Sequence, residues 1–218
     1  FVFFSAVNPS IEGSGNGLES KYKTLQLVPE EYIPKSIFVI KNQKFQKTLT
    51  AIKNEKIEFP LIIKPNIGFR GLLVKKINSQ GELQNYLKKY NTIDLIIQEF
   101  IAYKNECGIF YYKIPGEKTG HITSITLKKY LAVKGDGKST LLELIKKNER
   151  AKNYLDLVLE LNKKSLEHIP TLNEKRILTV IGNHSKGTQF INGNHLINNW
   201  LIKTLDTMNF NELHIEQQ

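Results

Sequence analysis

A chain of 218 residues with a formal net charge of +10 and a pI near 9.5 is long enough for one or two domains with a real core. Its 40% hydrophobic and 24% charged residues fit a soluble globular protein, and the single Cys107 excludes an internal disulfide framework and a multi-cysteine metal site. No apolar run reaches the roughly 20 residues of a membrane span, so no membrane partner is expected. The basic excess suits an anionic ligand. The lysines are scattered beside Asn and Ile, however, where nucleic-acid binding gathers arginine and lysine on one face.

In chain order, "FVFFSAV" at the start reads as a buried strand, too short for a span and without the basic flank of a signal peptide. "NPSIEGSGNG" is a loop by composition. "LESKYKTLQLV" places Leu18, Tyr22, Leu25 and Gln26 along one helical side and stops before Pro29. "KSIFVI" is a short strand, and "FQKTLTAIKNE" a helix with Phe45, Leu49 and Ile52 on one face. "FPLIIKP" and "GLLVKKI" read as strands around the loop "NIGFRG". "SQGELQNYLKKY" opens a helix on Ser79 as N-cap, with Glu82 three residues on. "DLIIQEFI" is a strand. "ECGIFYYKIP" and "GHITSITLKKYLAV" pair as a hairpin across the turn "PGEKTG". "TLLELIKKNERAKNYLDLVLELN" is a long helical region, "KRILTVIG" a strand, "NHSKGTQFINGN" a polar loop and "HLINNWLIKTLDTMN" a helix. Hairpins mixed with helices predict an α+β fold with antiparallel sheets rather than a doubly wound parallel sheet.

"AVKGDGKST" invites a phosphate-loop reading over 132–139, since Gly137, Lys138 and Ser139 fit that pattern and a helix follows. The first glycine position is Ala132, the preceding strand belongs to a hairpin, and no later apolar strand ends in a metal-binding Asp. A P-loop NTPase is therefore the lesser alternative. "GDG" reads as a turn needing positive φ, with Ser139 or Thr140 capping the helix.

A nucleoside triphosphate needs cations at its phosphates, an apolar slot with backbone hydrogen bonds for the base, an acceptor for the ribose hydroxyls and a metal. Candidates stand in a sensible order. Lys64 ends the apolar strand "IIKP", where its ammonium can lie across a phosphate; alone, such a lysine is usually a solvated strand end. In "NIGFRG", Gly68 and Gly71 let backbone N–H groups approach an anion and Arg70 adds a charge-assisted contact. "LIIQEFI" offers a segment whose backbone could read an adenine edge, the plain alternative being an edge strand. Glu106 could accept from ribose hydroxyls, or be a surface charge.

Taken together, these segments resemble the ATP-grasp superfamily of carboxylate–amine ligases, from roughly Glu19 to the C-terminus. "ESKYKTLQLVPEEYIPKS" is similar to the family's opening segment, "FPLIIKPNIGFRGLLV" to its phosphate lysine and lid loop, and "IIQEFI" with the following glutamate to its adenine hinge and ribose carboxylate. "VKGDGKSTLLELI" and "GNHSKGTQFIN" resemble segments of cyanophycin synthetase, and the family of D-alanine–D-alanine ligase is the other close likeness. The resemblance implies two α+β subdomains enclosing the nucleotide: a preceding strand and loop at 1–18, an N-terminal subdomain at 19–97 with its lid at 66–71, and a C-terminal subdomain at 98–218. It implies ATP and Mg²⁺ as cofactors, and an acyl-phosphate route joining a small carboxylate to an amine or thiol. It assigns Lys21 and Lys64 to the phosphates, and Arg70 with Gly68 and Gly71 to the lid. Gln98, Glu99, Phe100 and Ile101 fall to the hinge and Glu106 to the ribose. Asn183, Ser185 and Gly187 fall near the acyl-phosphate and acceptor, with Lys128 and Arg176 as lesser phosphate or substrate contacts.

The family holds magnesium with an aspartate, then a glutamate and an asparagine on a following strand. Here Glu216 is the sole match to the first carboxylate and no E-x-N follows it. Two expectations follow: a sequence excerpted from a longer protein, which the start at Phe1 also suits, or a nucleotide-binding module that catalyses nothing. A cytoplasmic location, a homodimer and no nucleic-acid partner complete the expectations.

Overall fold

The computed structural model describes residues 11–12, 17–68, 71–103, 105–114, 116–179 and 182–208. The strand expected in "FVFFSAV", and the candidate residues Arg70 and Glu216, lie outside the described residues. The described residues cluster into two units: those up to Ala102 with those from Trp200 onward, and those within Tyr103–Asn199.

The first unit begins with α1 (Lys21–Leu25), whose N-cap Ser20 accepts from the Lys23 N–H at 3.2 Å. Then come β1 (Ser36–Val39), α2 (Phe45–Asn54), β2 (Leu61–Pro65), β3 (Lys75–Ile77), α3 (Gln80–Lys89) and β4 (Leu95–Glu99). The strands form an antiparallel sheet in the order β1-β4-β2-β3. Strand period puts Leu61, Ile63 and Pro65 on one face of β2 and Ile62 and Lys64 on the other. The first face builds the core, where Val39, Leu61, Ile63, Ile77 and Ile97 cluster with Ile52 of α2 and Leu83 of α3. Phe45 and Leu49 are only partly buried against it. At α3, Ser79 caps as expected, accepting from Glu82 N–H at 3.3 Å, while the Glu82 carboxylate reaches back to the Asn78 N–H at 3.0 Å.

The expected strand "GLLVKKI" is shorter than its apolar run suggests. Gly71, Leu72 and Leu73 form a turn, Leu73 sits at φ 58°, and extended backbone starts only at Lys75. The Tyr86 hydroxyl of α3 donates to the Leu73 carbonyl at 2.5 Å, satisfying the turn with a tertiary contact no local pattern announces.

The second unit pairs β5 (Glu106–Tyr112) with β6 (His121–Lys129) as an antiparallel hairpin, Glu106 opposite Lys128, with an irregularity between Phe110 and Tyr111. β7 (Ala132–Lys134) follows, then α4 (Leu141–Lys147), α5 (Glu149–Lys152), α6 (Leu155–Asn162), β8 (Lys175–Ile177) and β9 (Gln189–Asn192). β9 lies along the other edge of β6, and β7 pairs with β8. The long helical region is three helices: Asn148 leaves helical geometry to cap α5, accepting from Ala151 N–H at 2.9 Å, and the chain turns again at Asn153 and Tyr154 before α6. "NHSKGTQFINGN" is not all loop: four of its residues form β9, whose pairing with β6 is a long-range contact invisible in a polar stretch. Leu131, Val133, Leu141, Ile145, Val158 and Leu178 make this unit's core. α7 (Asn199–Thr207) is the last described helix.

Helices and antiparallel sheets together give the expected α+β class. Among the described residues no helix is long and apolar enough to cross a membrane.

Candidate functional site

The lysine that ends β2 is placed by register. Lys64 lies opposite Ile96, and Ile62 lies opposite both Gln98 and Lys76. Opposed residues share a face, so Lys64 stands on the sheet face turned away from the core, two residues from Ile62. Ile96 is fully buried on that face, and Phe38 of β1, opposite Ile96, meets the Tyr22 ring of α1 at 5.3 Å between centroids. The Lys64 ammonium has no hydrogen-bond or ion-pair partner among the described residues. Its pKa is pulled below the ordinary lysine value, first by burial and then by the nearby charge of Lys21.

Lys21 reaches the same place from α1. Its ammonium donates to the Gly68 carbonyl at 2.6 Å and lies 3.4 Å from the Asn66 carbonyl. Lys21, Lys64, Pro65, Gly68, Gly71, Leu72 and Val74 line one small, half-open pocket. Gly68 and Gly71 lie at φ 146° and 72°, a backbone region that L side chains rarely adopt and that glycine takes without strain. Two desolvated ammonium groups of like charge beside a glycine-rich loop are an arrangement completed by an anion.

Asn66, which the sequence reading passed over, ties these parts together. It is 4% exposed. Its side-chain oxygen accepts from Ser20 Oγ and from the Tyr22 N–H, both at 3.0 Å. Its carbonyl accepts from the Lys21 N–H at 3.1 Å, and its own N–H donates to the Asp94 carbonyl at 2.9 Å.

Of the hinge candidates, Gln98 is buried in β4, and its Nε2 donates to Ser36 Oγ at 2.8 Å. Glu99 extends the pairing of β4 with β1: its N–H donates to the Lys35 carbonyl at 3.0 Å and its carboxylate accepts from the Lys35 N–H at 2.9 Å. Phe100 lies under the Lys76 ammonium, 3.7 Å from ring centroid to nitrogen, and Ile101 is exposed.

In the second unit, Glu106 is held from two sides. Lys128, its partner in the hairpin, forms an ion pair with one carboxylate oxygen, and the Tyr130 hydroxyl donates to the other at 2.5 Å. Burial, followed by this bond to Glu106, pushes the Tyr130 phenol up to about 12. Asn183 caps a short 3₁₀ turn, His184–Lys186, its side-chain oxygen accepting from the Ser185 N–H at 3.0 Å and from Ser185 Oγ at 3.1 Å. Gly187 closes this turn, and Arg150 of α5 fastens it: Nε donates to the Gly187 carbonyl at 2.8 Å and Nη2 to the Thr188 carbonyl at 3.0 Å. Tyr154 adds a bond to the His184 carbonyl at 3.2 Å. Neither Arg150 nor Tyr130 was singled out by sequence; each acts through chain-distant partners. Arg176 stands on β8 beside Glu174 at 3.6 Å.

The rival motif is closed to phosphate. Asp136 accepts from the N–H groups of Ser139 and Lys138, at 2.7 and 2.9 Å, and from Ser139 Oγ at 2.7 Å. The donors a P-loop would aim at phosphate are thus occupied by a carboxylate, whose pKa these bonds hold down at about 2. Gly137 has the positive φ expected, 71°, and Thr140 caps α4 in a reciprocal capping box with Glu143.

Among the described residues no three His, Cys, Asp or Glu side chains cluster to hold a metal ion, and the expected ligand Glu216 lies outside those residues.

A family model described as the RimK-like ATP-grasp domain matches residues 18–128. No curated protein matches the sequence. Among solved structures, the chain is similar to D-alanine–D-alanine ligase from Bacillus anthracis at 15% identity and a TM-score of 0.47, covering 90% of this chain and 48% of that one. It is similar to a bifunctional glutathione synthetase from Pasteurella multocida at 14% identity and a TM-score of 0.39, covering 87% and 27%. A carboxyaminoimidazole ribonucleotide synthase from Aspergillus clavatus, complexed with ATP, aligns at 14% identity and a TM-score of 0.42, covering 64% and 37%. The chain therefore spans between 27% and 48% of the length of these structures.

Proposed function

Because this chain belongs to the RimK-like ATP-grasp domain family, we propose that it is an ATP-dependent carboxylate–amine ligase, or the ATP-handling part of one. The observation that carries this reading is the pocket of the first unit, lined by Lys64, whose ammonium has no partner among the described residues, and by Lys21, whose ammonium is tethered to Gly68, together with Gly68 and Gly71. Both cations lie against the triphosphate in this reading, with Gly68 and Gly71 beside them. As charge grows on the β-phosphate, two fixed ammonium groups in a partly dry pocket stabilise it without reorganising.

In the reaction proposed, a carboxylate oxygen of the first substrate attacks the γ-phosphorus. The bond to the bridging oxygen breaks and ADP departs with that electron pair, leaving an acyl-phosphate. The amine nitrogen of the second substrate then attacks the acyl carbon, phosphate leaves with the bonding pair, and the nitrogen loses a proton. A thiol would follow the same course through sulfur. The Asn183–Ser185–Gly187 turn, fastened by Arg150, supports a rigid polar loop of the kind this second step uses. Glu106 would turn from Tyr130 to the ribose hydroxyls.

Thermal melts with ATP and with ADP test the reading. A ligand that binds only the folded chain at a hundred times its Kd stabilises by about 2.7 kcal/mol, so both nucleotides should raise the midpoint. No shift with either would remove the proposal. A shift without ADP release, across panels of small carboxylates and amines, would instead favour a nucleotide-binding module.

A further inference from the structure

We propose that Asn66 is a positioning residue for Lys21: it fixes the N-terminus of α1 against the loop after β2 and thereby aims the Lys21 ammonium into the pocket. What the ammonium serves there rests on the nucleotide reading above.

Asn66 is a buried polar side chain directly after β2. A buried amide is retained at low cost only when its bonds are made. Among the described residues its side-chain oxygen bonds only to the residues flanking Lys21: it accepts from Ser20 Oγ and from the Tyr22 N–H, both at 3.0 Å. The residue between them is gripped through its own N–H, donated to the Asn66 carbonyl at 3.1 Å. Three successive residues of α1 and its cap therefore converge on one asparagine. The bond from the Asn66 N–H to the Asp94 carbonyl, at 2.9 Å, anchors that asparagine to the residue before β4.

The consequence is geometric. A helix of five residues cannot hold its own orientation in water. Without Asn66, α1 would keep its Tyr22–Phe38 ring contact and its Ser20 cap, but neither fixes the side chain at Lys21. With Asn66, the Lys21 stem leaves a fixed backbone and its ammonium meets the Gly68 carbonyl at 2.6 Å, on the rim of the pocket that Lys64 also lines. A flexible lysine spends side-chain entropy when it orders on a ligand; Asn66 makes that ordering part of folding.

The test is run on the full chain. Lys21 accessibility is read by reductive methylation with formaldehyde and cyanoborohydride, quantified residue by residue by mass spectrometry. In Asn66→Ala, Lys21 should be modified several-fold faster, while Lys138, outside the first unit, keeps its rate. Asn66→Asp preserves the accepting side-chain oxygen and should restore slow modification. Ser20→Ala removes one donor and should give a smaller increase, so a failure of Asn66→Ala to fold leaves a second variant to decide the matter. ATP affinity is then measured in a double-mutant cycle. Asn66→Ala should weaken ATP binding by roughly tenfold, and in the Lys21→Ala background it should cost less than about twofold more. A merely structural role would lower stability and add in full to the loss from Lys21→Ala. Unchanged Lys21 reactivity in folded Asn66→Ala or Ser20→Ala protein, or full additivity in the cycle, overturns the proposal. Faster Lys21 modification in a chain whose wild type binds no ATP upholds the positioning role and removes the nucleotide reading instead.

Discussion

Replacing Lys64 by methionine should make the free protein more stable and leave it unable to hold ATP tightly. The ammonium stands half-buried on β2, and burial together with the charge of Lys21 draws its pKa below the ordinary 10.5. The folded chain thus binds this proton less strongly than the unfolded chain does. The penalty is complete at neutral pH and is relieved as pH rises through the folded pKa toward 10.5. Methionine keeps the apolar stem in contact with the sheet and carries no charge. Lys64→Met should therefore raise the melting midpoint at pH 7. Its stability should also rise less with pH, in the alkaline range below 10.5, than that of the wild type. The opposite holds with ligand present. A hydrogen bond to a charged group contributes about 1.5 to 3 kcal/mol, so losing the contact to a phosphate should weaken ATP roughly 10- to 150-fold at about 1.36 kcal/mol per tenfold. Denaturation at several pH values and a nucleotide titration read the two effects separately. A variant less stable than wild type at pH 7 that still binds ATP within twofold would refute the reasoning.

Lys138→Ala should leave ATP affinity unchanged, because the N–H groups around it already serve Asp136; a large loss on titration would revive the phosphate-loop reading. Asp136 has its pKa lowered to about 2 by those N–H groups, so the stability it contributes is complete above the usual carboxylate range and lost as pH falls toward 2. Asp136→Asn should accordingly flatten the acid limb of a stability–pH curve. Gly135→Ala would push a methyl into the Thr171 carbonyl and to 2.8 Å from the Pro170 carbonyl, and backbone cannot yield as a side-chain tip does. A loss of about 1 to 3 kcal/mol is expected on urea unfolding. Gly81→Ala meets nothing within 4 Å in α3 and should instead gain roughly 0.4 to 1 kcal/mol in the same assay.

The parts of the fold legible in the sequence were those written in local code. Ser79 announces α3 through its cap, the apolar run before Lys64 announces β2, and the glycines of "GDG" announce a turn. The candidate pocket was legible for the same reason: Lys64, Gly68 and Gly71 are near neighbours in sequence, and Lys21 entered by resemblance. What stayed hidden depends on chain-distant partners. The turn at Leu73 is held by Tyr86, β9 exists because β6 offers it an edge, and Arg150 finds its carbonyl partners more than thirty residues away. Asn66 is the clearest case. As a letter after "IIKP" it reads as loop, yet its bonds reach back 46 residues to Ser20. Asn148 shows the converse: helical spacing continued through it, but its side chain preferred to cap a new helix.

The central claim, that the pocket of Lys21 and Lys64 holds a nucleoside triphosphate, is tested most directly by calorimetric titration of ATP into the full chain and into its Lys64→Ala variant. Saturable binding at one site in the wild type, weakened at least tenfold in the variant, is the predicted result. Flat heats in a folded wild-type protein, or equal affinities in the two proteins, would contradict it.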